Sequence, residues 1–210
     1  MFVSGVLLAA GASSRFGSPK MLASVGENKI PLLRRVLETW LASGFAELIV
    51  VLGKDADEIR AAIGDFSPHS GRRSLRFVEN PSWDAGMFSS VKTGLAATSA
   101  DSTHVAVSPA DLPFLSKKSL QTVISAAASL DASELSLVVP THAGRRGHPL
   151  LIPAALRSRL LSWPDSARLN QLFEEPDVTV HHIAGFDETI LRDVDTPGDL
   201  LASRRAPFSF

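Results

Sequence analysis

The sequence has no cysteine, no excess of one charge and no long apolar run, and each absence removes a class of function. Without cysteine there is no disulfide, iron–sulfur cluster, thiolate zinc site or cysteine nucleophile. Lys and Arg number 21 against 22 Asp and Glu, so we expect no broad basic surface for nucleic acid or anionic lipid. No apolar run approaches the roughly 20 residues of a membrane span, and the residues after Met1 lack the charged flank of a signal peptide. A cytoplasmic enzyme or binding protein is the resulting expectation.

The chain has 210 residues, of which 45% are hydrophobic, enough for one sizeable core. It contains no internal repeat and no low-complexity linker. We therefore predict a single domain over residues 1–210.

Apolar runs alternate with helical patterns along the first two thirds of the chain. Strands are predicted at 3–8, 48–52, 75–78, 104–108 and 135–139, and helices at 31–43, 55–63, 87–97 and 116–128. Residues 67–73 read as an exposed loop. The weaker pattern of the last third predicts strands at 150–152 and 178–183 and short helices at 154–161 and 167–173. The alternation predicts an α/β fold with a mainly parallel sheet covered on both sides.

The segment after the first strand has the composition of an anion-binding loop. Its small residues, from Ala9 to Ser14, expose consecutive backbone N–H groups, and Arg15 and Lys20 add positive charge. The spacing of Gly11 and Gly17 fits neither a dinucleotide fingerprint nor a Walker loop, which disfavours a nicotinamide dehydrogenase. The alternative is an ordinary tight turn with solvated charges.

Two carboxylates are each placed beside proline after an apolar strand. Asp111 lies in Pro109-Ala110-Asp111-Leu112-Pro113, and Asp195 lies in Asp193-Val194-Asp195-Thr196-Pro197. Each could be structural, and Asp111 could help to begin the helix near Ser116. Together with a phosphate-binding loop, two such carboxylates at strand ends favour a hard, oxygen-liganded cation such as Mg²⁺ bound with a triphosphate.

These residues resemble the MobA-like nucleotidyltransferase family, and within it the molybdenum cofactor cytidylyltransferase branch. The opening signature of the family is matched by Leu8-Ala9-Ala10-Gly11, Ser13, Arg15-Phe16-Gly17 and Lys20. The resemblance continues through Asn80-Pro81-Ser82-Trp83, Gly86-Met87-Phe88-Ser89-Ser90, Asp111-Leu112-Pro113, Gly147-His148-Pro149 and Asp193-Val194-Asp195-Thr196-Pro197. It implies a Rossmann-like three-layer α/β/α fold.

The resemblance also implies a set of roles. Lys20, Arg15 and Asp111 would be catalytic, and Asp111 and Asp195 would hold Mg²⁺, with Mn²⁺ as the alternative. Arg145, Arg146 and His148 would bind a phosphorylated pterin, the arginines from a mobile loop at 144–147; a solvated basic turn is the competing interpretation. The nucleotide would be bound by Leu8, Ala9, Ala10, Gly11, Ala12, Ser13, Ser14, Arg15, Lys20, Asn80, Gly86, Ser89, Ser90 and Ala110.

The reaction implied is transfer of CMP from CTP to the phosphate of the molybdenum cofactor, with release of pyrophosphate. Ala10 is of the cytidylyl type, whereas glycine at this place accompanies guanylyl transfer. The candidate partner is a molybdoenzyme of the xanthine dehydrogenase type, with neither nucleic acid nor membrane. One departure affects the acceptor: residues 164–168 lack both glycines of the family's Gly-Asp-x-Gly-Ala-Arg. Another phosphorylated acceptor, GTP as donor, or a non-catalytic cofactor-binding protein remain alternatives.

Overall fold

The computed structural model describes residues 1–64, 74–130 and 134–203, with side chains described as far as residue 200. The predicted loop at 67–73 lies outside these ranges. The main sheet has the strand order β10-β7-β9-β6-β1-β4-β5, and β8 pairs with β7 beside it. Its strands are β1 Val3–Ala9, β4 Glu47–Leu52, β5 Ser74–Glu79, β6 His104–Pro109, β7 Ser136–His142, β8 Arg145–Arg146, β9 Leu150–Pro153 and β10 Thr179–Ile183. A hairpin of β2 Ser24–Val25 and β3 Ile30–Pro31 stands apart.

The strands at the centre of the sheet are apolar because helices cover both of their faces. β1 pairs in parallel with β4 and β6, and nearly every residue of β1 and β4 is buried. The helices are α1 Leu32–Ala42, α2 Ala56–Ile63, α3 Met87–Ala97, α4 Lys117–Ala128, α5 Arg157–Ser162 and α6 Pro197–Ser203. Two separate apolar clusters fill the two faces. The predicted three-layer α/β fold is thereby confirmed.

Two close packing contacts fix the layers against the sheet. A Cβ atom at Gly94 in α3 would lie 2.3 Å from Val6 Cγ1 of β1, so this helix lies directly on the strand. On the other face Trp40 of α1 stacks on Phe45, with ring centroids 4.7 Å apart. Among the described residues no helix is long and apolar enough to cross a bilayer.

In the last third of the chain the strands predicted at 150–152 and 178–183 are present as β9 and β10, but β9 departs from the parallel direction and the predicted helices are partly 3-10. β9 runs antiparallel to both β6 and β7. A turn with Ala143 and Gly144 in left-handed conformations sends the chain back beside β7, and so short a connection cannot make the crossover that a parallel strand requires. The helix predicted at 154–161 is a 3-10 turn, Ala154–Leu156, followed by α5, and that at 167–173 is a 3-10 helix, Leu169–Glu174.

Candidate nucleotide and acceptor site

The loop between β1 and Lys20 folds back on itself. Ser13 adopts a left-handed conformation, its carbonyl accepts a hydrogen bond from Phe16 N–H at 2.9 Å, and its Oγ accepts from Lys20 N–H at 3.1 Å. Gly17 supplies a second positive φ, which glycine adopts at no steric cost. Closing the loop in this way returns Lys20 to the carboxyl end of β1, as the sequence predicts for a phosphate-binding segment.

Lys20 lies between the two predicted carboxylates. Its Nζ is 2.7 Å from Asp111 Oδ2 and 3.3 Å from Asp195 Oδ1, while Arg15 Nη1 is 2.5 Å from Asp195 Oδ2. The side chains of Lys20 and Asp111 are only 13% and 17% exposed. Because water screens these charges poorly, the four side chains produce a strong local electric field at the end of β6.

Asp111 and Asp195 reach this cluster by different routes. Asp111 follows β6 and does not begin the next helix, because Ser116 Oγ already caps α4 by accepting from Ser119 N–H. Asp195 was expected at a strand end, and this is wrong: it lies in the connection between a 3-10 helix at Glu188–Ile190 and α6. A hydrogen bond of 2.9 Å from Val194 N–H to the Asp111 carbonyl brings the two segments together.

The turn that carries Asp195 is closed by a third carboxylate. Asp199 Oδ2 accepts from the N–H groups of Asp195 and Thr196, at 3.0 and 2.7 Å, and from Thr196 Oγ1 at 2.9 Å. These hydrogen bonds from Thr196, ahead of that from Asp195, lower the pKa of Asp199 below its usual range. The ionised form of Asp199 therefore holds the turn.

The carboxylates fit a divalent cation that also contacts a nucleotide. Asp111 Oδ1 is buried and has no hydrogen-bond partner among the described residues, so one lone-pair-bearing oxygen is left to bind a ligand. Within the same ranges no cluster of three or more His, Cys, Asp or Glu could hold a metal by itself. This matches Mg²⁺, which is bound through one or two carboxylates and substrate phosphates.

A cavity of about 360 Å³ opens over the loop and the charge cluster. Of the predicted nucleotide-binding residues, those of 8–15 line it together with Lys20 and Ser90, and Asp111 and Asp195 lie in its wall. The roles predicted from the sequence leave out four further lining residues: Met21, Trp83, Met87 and Pro109. Met87 is 68% exposed, which is unusual for a large apolar side chain. This exposure indicates a ligand-contacting residue, and only the structure reveals it.

Three of the four remaining predicted nucleotide residues are buried and lie outside the wall of this cavity: Asn80, Ser89 and Ala110. The fourth, Gly86, lines a neighbouring cavity instead. Asn80 Nδ2 donates to Ser89 Oγ at 2.7 Å and to Ser90 Oγ at 3.0 Å. Asn80 thus fixes the first turn of α3. Ala110 N–H donates to the Leu8 carbonyl at 3.0 Å and ties the Asp111 loop to β1.

Gly53 is a supporting residue that sequence reasoning also missed. A Cβ atom there would lie 2.4 Å from the Ala10 carbonyl oxygen and 2.9 Å from Trp83 Cβ. Only glycine allows the loop and Trp83 to approach the end of β4 so closely. Its place directly after a buried strand is the signal that could have found it.

A second cavity, of about 730 Å³, adjoins the first and shares Leu8, Met87 and Pro109 with it. Predicted residues Gly86, Arg146 and His148 line it, but Arg145 does not. The expected mobile loop at 144–147 is instead strand β8, paired with Thr141 and His142 of β7, and successive side chains of a strand point to opposite faces. The segment that departs from the family pattern also contributes, through residues 165–168.

Two titratable groups in the wall of this second cavity have shifted pKa values. Burial lowers the pKa of His148, which the nearby Asp111 carboxylate opposes, and its Nδ1 has no hydrogen-bond partner in the described part of the chain. Partial desolvation raises the pKa of Asp193, and repulsion from Asp111 and Asp195 adds to the rise. His148 is therefore a neutral imidazole beside the charge cluster.

Comparison with known proteins identifies the family. A model of the MobA-like NTP transferase domain matches residues 5–181. The chain belongs to the MobA-like NTP transferase family. By family it is a nucleotidyltransferase, and its signature loop is the one that folds around Lys20.

Named relatives of this MobA-like chain differ in activity. It is 32% identical over 198 residues to nicotine blue oxidoreductase of Paenarthrobacter nicotinovorans, covering 92% of each chain. It is 22% identical to the molybdenum cofactor cytidylyltransferase of Escherichia coli K12, over 95% of this chain and 94% of the other. It is 29% identical to a probable molybdenum cofactor guanylyltransferase of Natronomonas pharaonis, over 95% and 96%.

Solved structures agree with the Rossmann-like fold. Rv0371c from Mycobacterium tuberculosis H37Rv superposes with a TM-score of 0.76 at 24% identity and covers 98% of each chain. A structure of the same protein in complex with manganese superposes with a TM-score of 0.72 at 22% identity, over 99% of this chain and 100% of the other.

Proposed function

We propose that this protein transfers CMP from CTP to the terminal phosphate of the molybdenum cofactor and releases pyrophosphate. The observation that carries the proposal is the pair of adjoining cavities, which meet at Leu8, Met87 and Pro109 next to the Lys20 charge cluster. A transferase must hold two substrates with their reacting atoms in contact, and this arrangement provides one compartment for each. Residues from 8 to 195 build the two walls, which supports one functional domain over residues 1–210.

The nucleotide would occupy the smaller cavity. Its triphosphate would lie on the backbone N–H groups of residues 10–15, with Arg15 and Lys20 countering the charge. Asp111 and Asp195 would hold Mg²⁺ or Mn²⁺, which would offset the negative charge that develops on the phosphates during transfer. The manganese complex of Rv0371c supports a divalent cation in this fold.

The acceptor would occupy the larger cavity, with its phosphate directed at the junction. A phosphate monoester has a second pKa of about 6, so it is largely a dianion near neutrality and needs no strong general base. An oxygen of this phosphate would form a bond to the α-phosphorus of CTP as the bond from that phosphorus to the bridging oxygen breaks. Lys20, 2.7 Å from Asp111, would stabilise the charge at the junction.

The choice of CTP rests on Ala10. This residue lines the nucleotide cavity and is 5% exposed, with its carbonyl oxygen pressed against Gly53. Its methyl group packs in an apolar core cluster beside Gly53, so the preference for CTP rests on the resemblance to cytidylyltransferases at this position. A molybdoenzyme of the xanthine dehydrogenase type would receive the product, and GTP is the alternative donor, in line with the guanylyltransferase relative.

Pyrophosphate release tests the proposal. Each nucleoside triphosphate is supplied separately with Mg²⁺, with and without molybdenum cofactor. The proposal predicts release that requires both CTP and the cofactor. Pyrophosphate release that requires a different phosphorylated acceptor, such as a sugar phosphate, would show that the molybdenum cofactor is not the substrate. CTP binding without pyrophosphate release in the presence of any acceptor would indicate a non-catalytic binding protein.

A second candidate function follows from the relative at 32% identity, which is named nicotine blue oxidoreductase. The largely apolar wall of the larger cavity, with Val139, Leu150 and Leu169, would accept a flat dye of this kind. Consumption of NADH or NADPH in the presence of nicotine blue is the test. The nucleotidyltransferase proposal predicts no consumption, and a rate that depends on nicotine blue would favour the oxidoreductase.

A further inference from the structure

Arg146 is held in one orientation in the wall of the larger cavity. Its guanidinium carbon lies 4.0 Å from the centre of the Phe173 ring, and its Nε donates a hydrogen bond to His182 Nε2 at 3.3 Å. Its backbone is fixed too, because Arg146 pairs with Thr141 of β7. The next residue, Gly147, packs so closely on Ile190 that a Cβ atom would lie 2.7 Å from Ile190 Cδ1.

This arrangement leaves one guanidinium face to interact with a ligand. Phe173 covers the other face, and Nε is already used by His182. In the described ranges no carboxylate forms an ion pair with Arg146. By contrast, a carboxylate oxygen lies within 3.4 Å of each of five other arginines: Arg15, Arg34, Arg60, Arg76 and Arg159. A planar guanidinium stacks on aromatic and conjugated rings, which a lysine ammonium cannot do in the same way.

We propose that Arg146, whose guanidinium lies over the Phe173 ring, is the specificity-determining residue of the acceptor cavity and selects acceptors with a planar conjugated ring over sugar phosphates. The ring would stack on the free face of the guanidinium, making a three-layer stack with Phe173. The proposal rests on the larger cavity being the acceptor site of the proposed function, and it deepens that function by naming the residue that reads the acceptor.

The rest of the cavity wall agrees with a flat, largely apolar ligand. Phe88, Val139, Leu150 and Leu169 line it beside polar residues that include Ser166 and Asn170, so a ligand there needs a large apolar surface together with polar atoms. A conjugated ring with polar atoms only at its edge can contact both the apolar walls and the guanidinium. Phe173 itself lies in the 3-10 helix directly after the segment that departs from the family pattern, so this part of the chain supplies one side of the proposed ring site.

Arg145 is the matched control. It is the same residue type, one position away on the same short strand, and both arginines are exposed, but Arg145 does not line the cavity. Any general effect of removing a positive charge from β8 should appear in Arg145→Ala as well. An effect confined to Arg146 therefore reports contact with the ligand.

The experiment measures binding of pterin, as a ring without phosphate, by quenching of its fluorescence, and binding of ribose phosphate by calorimetry. We expect Arg146→Ala to weaken pterin binding about three- to tenfold. We expect a similar loss in Arg146→Lys, which keeps the charge but not the plane, a smaller loss in Phe173→Leu, and no change in Arg145→Ala. Binding of ribose phosphate should be the same in all of these variants.

Three results would overturn the inference: wild-type affinity for pterin in Arg146→Ala, full affinity in Arg146→Lys, or an equal loss in Arg145→Ala. The thermal unfolding of each variant shows whether it is folded. The inference and the proposed function can fail separately. Pterin binding that depends on Arg146 without nucleotidyl transfer would refute only the function, whereas transfer to the molybdenum cofactor that is insensitive to Arg146 would refute only the inference.

Discussion

Replacing Lys20 with alanine removes the cation at the centre of the charge cluster. Its Nζ contacts both Asp111 Oδ2 at 2.7 Å and Asp195 Oδ1 at 3.3 Å, in a setting where the Lys20 side chain is 13% exposed. Loss of one preorganised donor from such a site typically costs about 2.7–4 kcal/mol of transition-state stabilisation, or a factor of about 100–1000 in turnover. We expect kcat for pyrophosphate release to fall by that factor.

The folded state should survive this substitution. Breaking a fully buried ion pair costs about 3–5 kcal/mol of stability. Here the loss should be smaller, because Asp195 keeps Arg15 as a partner at 2.5 Å and is itself 35% exposed. Removal of Lys20 also frees Asp111 from its competing cation, while Asp195 still pairs with Arg15. Mg²⁺ binding to the protein without nucleotide should therefore become tighter while turnover collapses.

The assay is pyrophosphate release at saturating CTP, Mg²⁺ and acceptor, with Mg²⁺ affinity measured by calorimetry. Arg159→Ala is the control. Arg159 lies on α5, outside both cavities, and the substitution removes its ion pair of 2.6 Å with Asp177. It should leave turnover unchanged. Turnover of Lys20→Ala within a few-fold of wild type would refute the reasoning, as would weaker Mg²⁺ binding in a folded variant.

Three further predictions concern the supports of the site. Glu47→Gln should lower the free energy of unfolding in urea by about 1–3 kcal/mol without changing KM for CTP, because the 4% exposed carboxylate pairs with Arg76 at the far end of the sheet; a changed KM would contradict this. Gly53→Ala should raise KM for CTP, because its Cβ would push the Ala10 carbonyl from 2.4 Å; unchanged KM and stability would contradict the tight packing. Burial lowers the pKa of His148, so on acidification the unfolded chain takes up a proton at this residue before the folded chain does. The free energy of unfolding should therefore rise from about pH 5 to about pH 7. His148→Asn should flatten this rise, and an equal slope in both proteins would contradict the prediction.

The part of the site that sequence could predict is the part built by strand ends. The run at 3–8 and the acids after 104–108 both indicate carboxyl ends of parallel strands, which meet at one edge of a sheet. Lys20 and Asp111 therefore come together as expected, at 2.7 Å. The helix at 87–97 also matches, since α3 has the predicted bounds.

Contacts set by tertiary packing were beyond this reasoning. Asp195 reaches the cluster through the hydrogen bond from Val194 to Asp111, not through a strand end. The antiparallel direction of β9 follows from a turn at residues 143 and 144 whose left-handed conformations no apolar pattern encodes. The contact between Arg146 and Phe173 joins residues far apart in the chain. Only the structure shows that Arg146 lines the larger cavity and that its neighbour Arg145 does not.

The most direct test of the central claim is to follow the α-phosphate of CTP into the product. CTP labelled at the α-phosphate is incubated with the protein, Mg²⁺ and molybdenum cofactor, and the cofactor fraction is separated and its label measured. The account predicts label in the cofactor in amounts equal to the pyrophosphate released, and about a hundredth of that label or less with Lys20→Ala over the same time. Pyrophosphate released without label in the cofactor, or label transferred equally well from GTP, would contradict it.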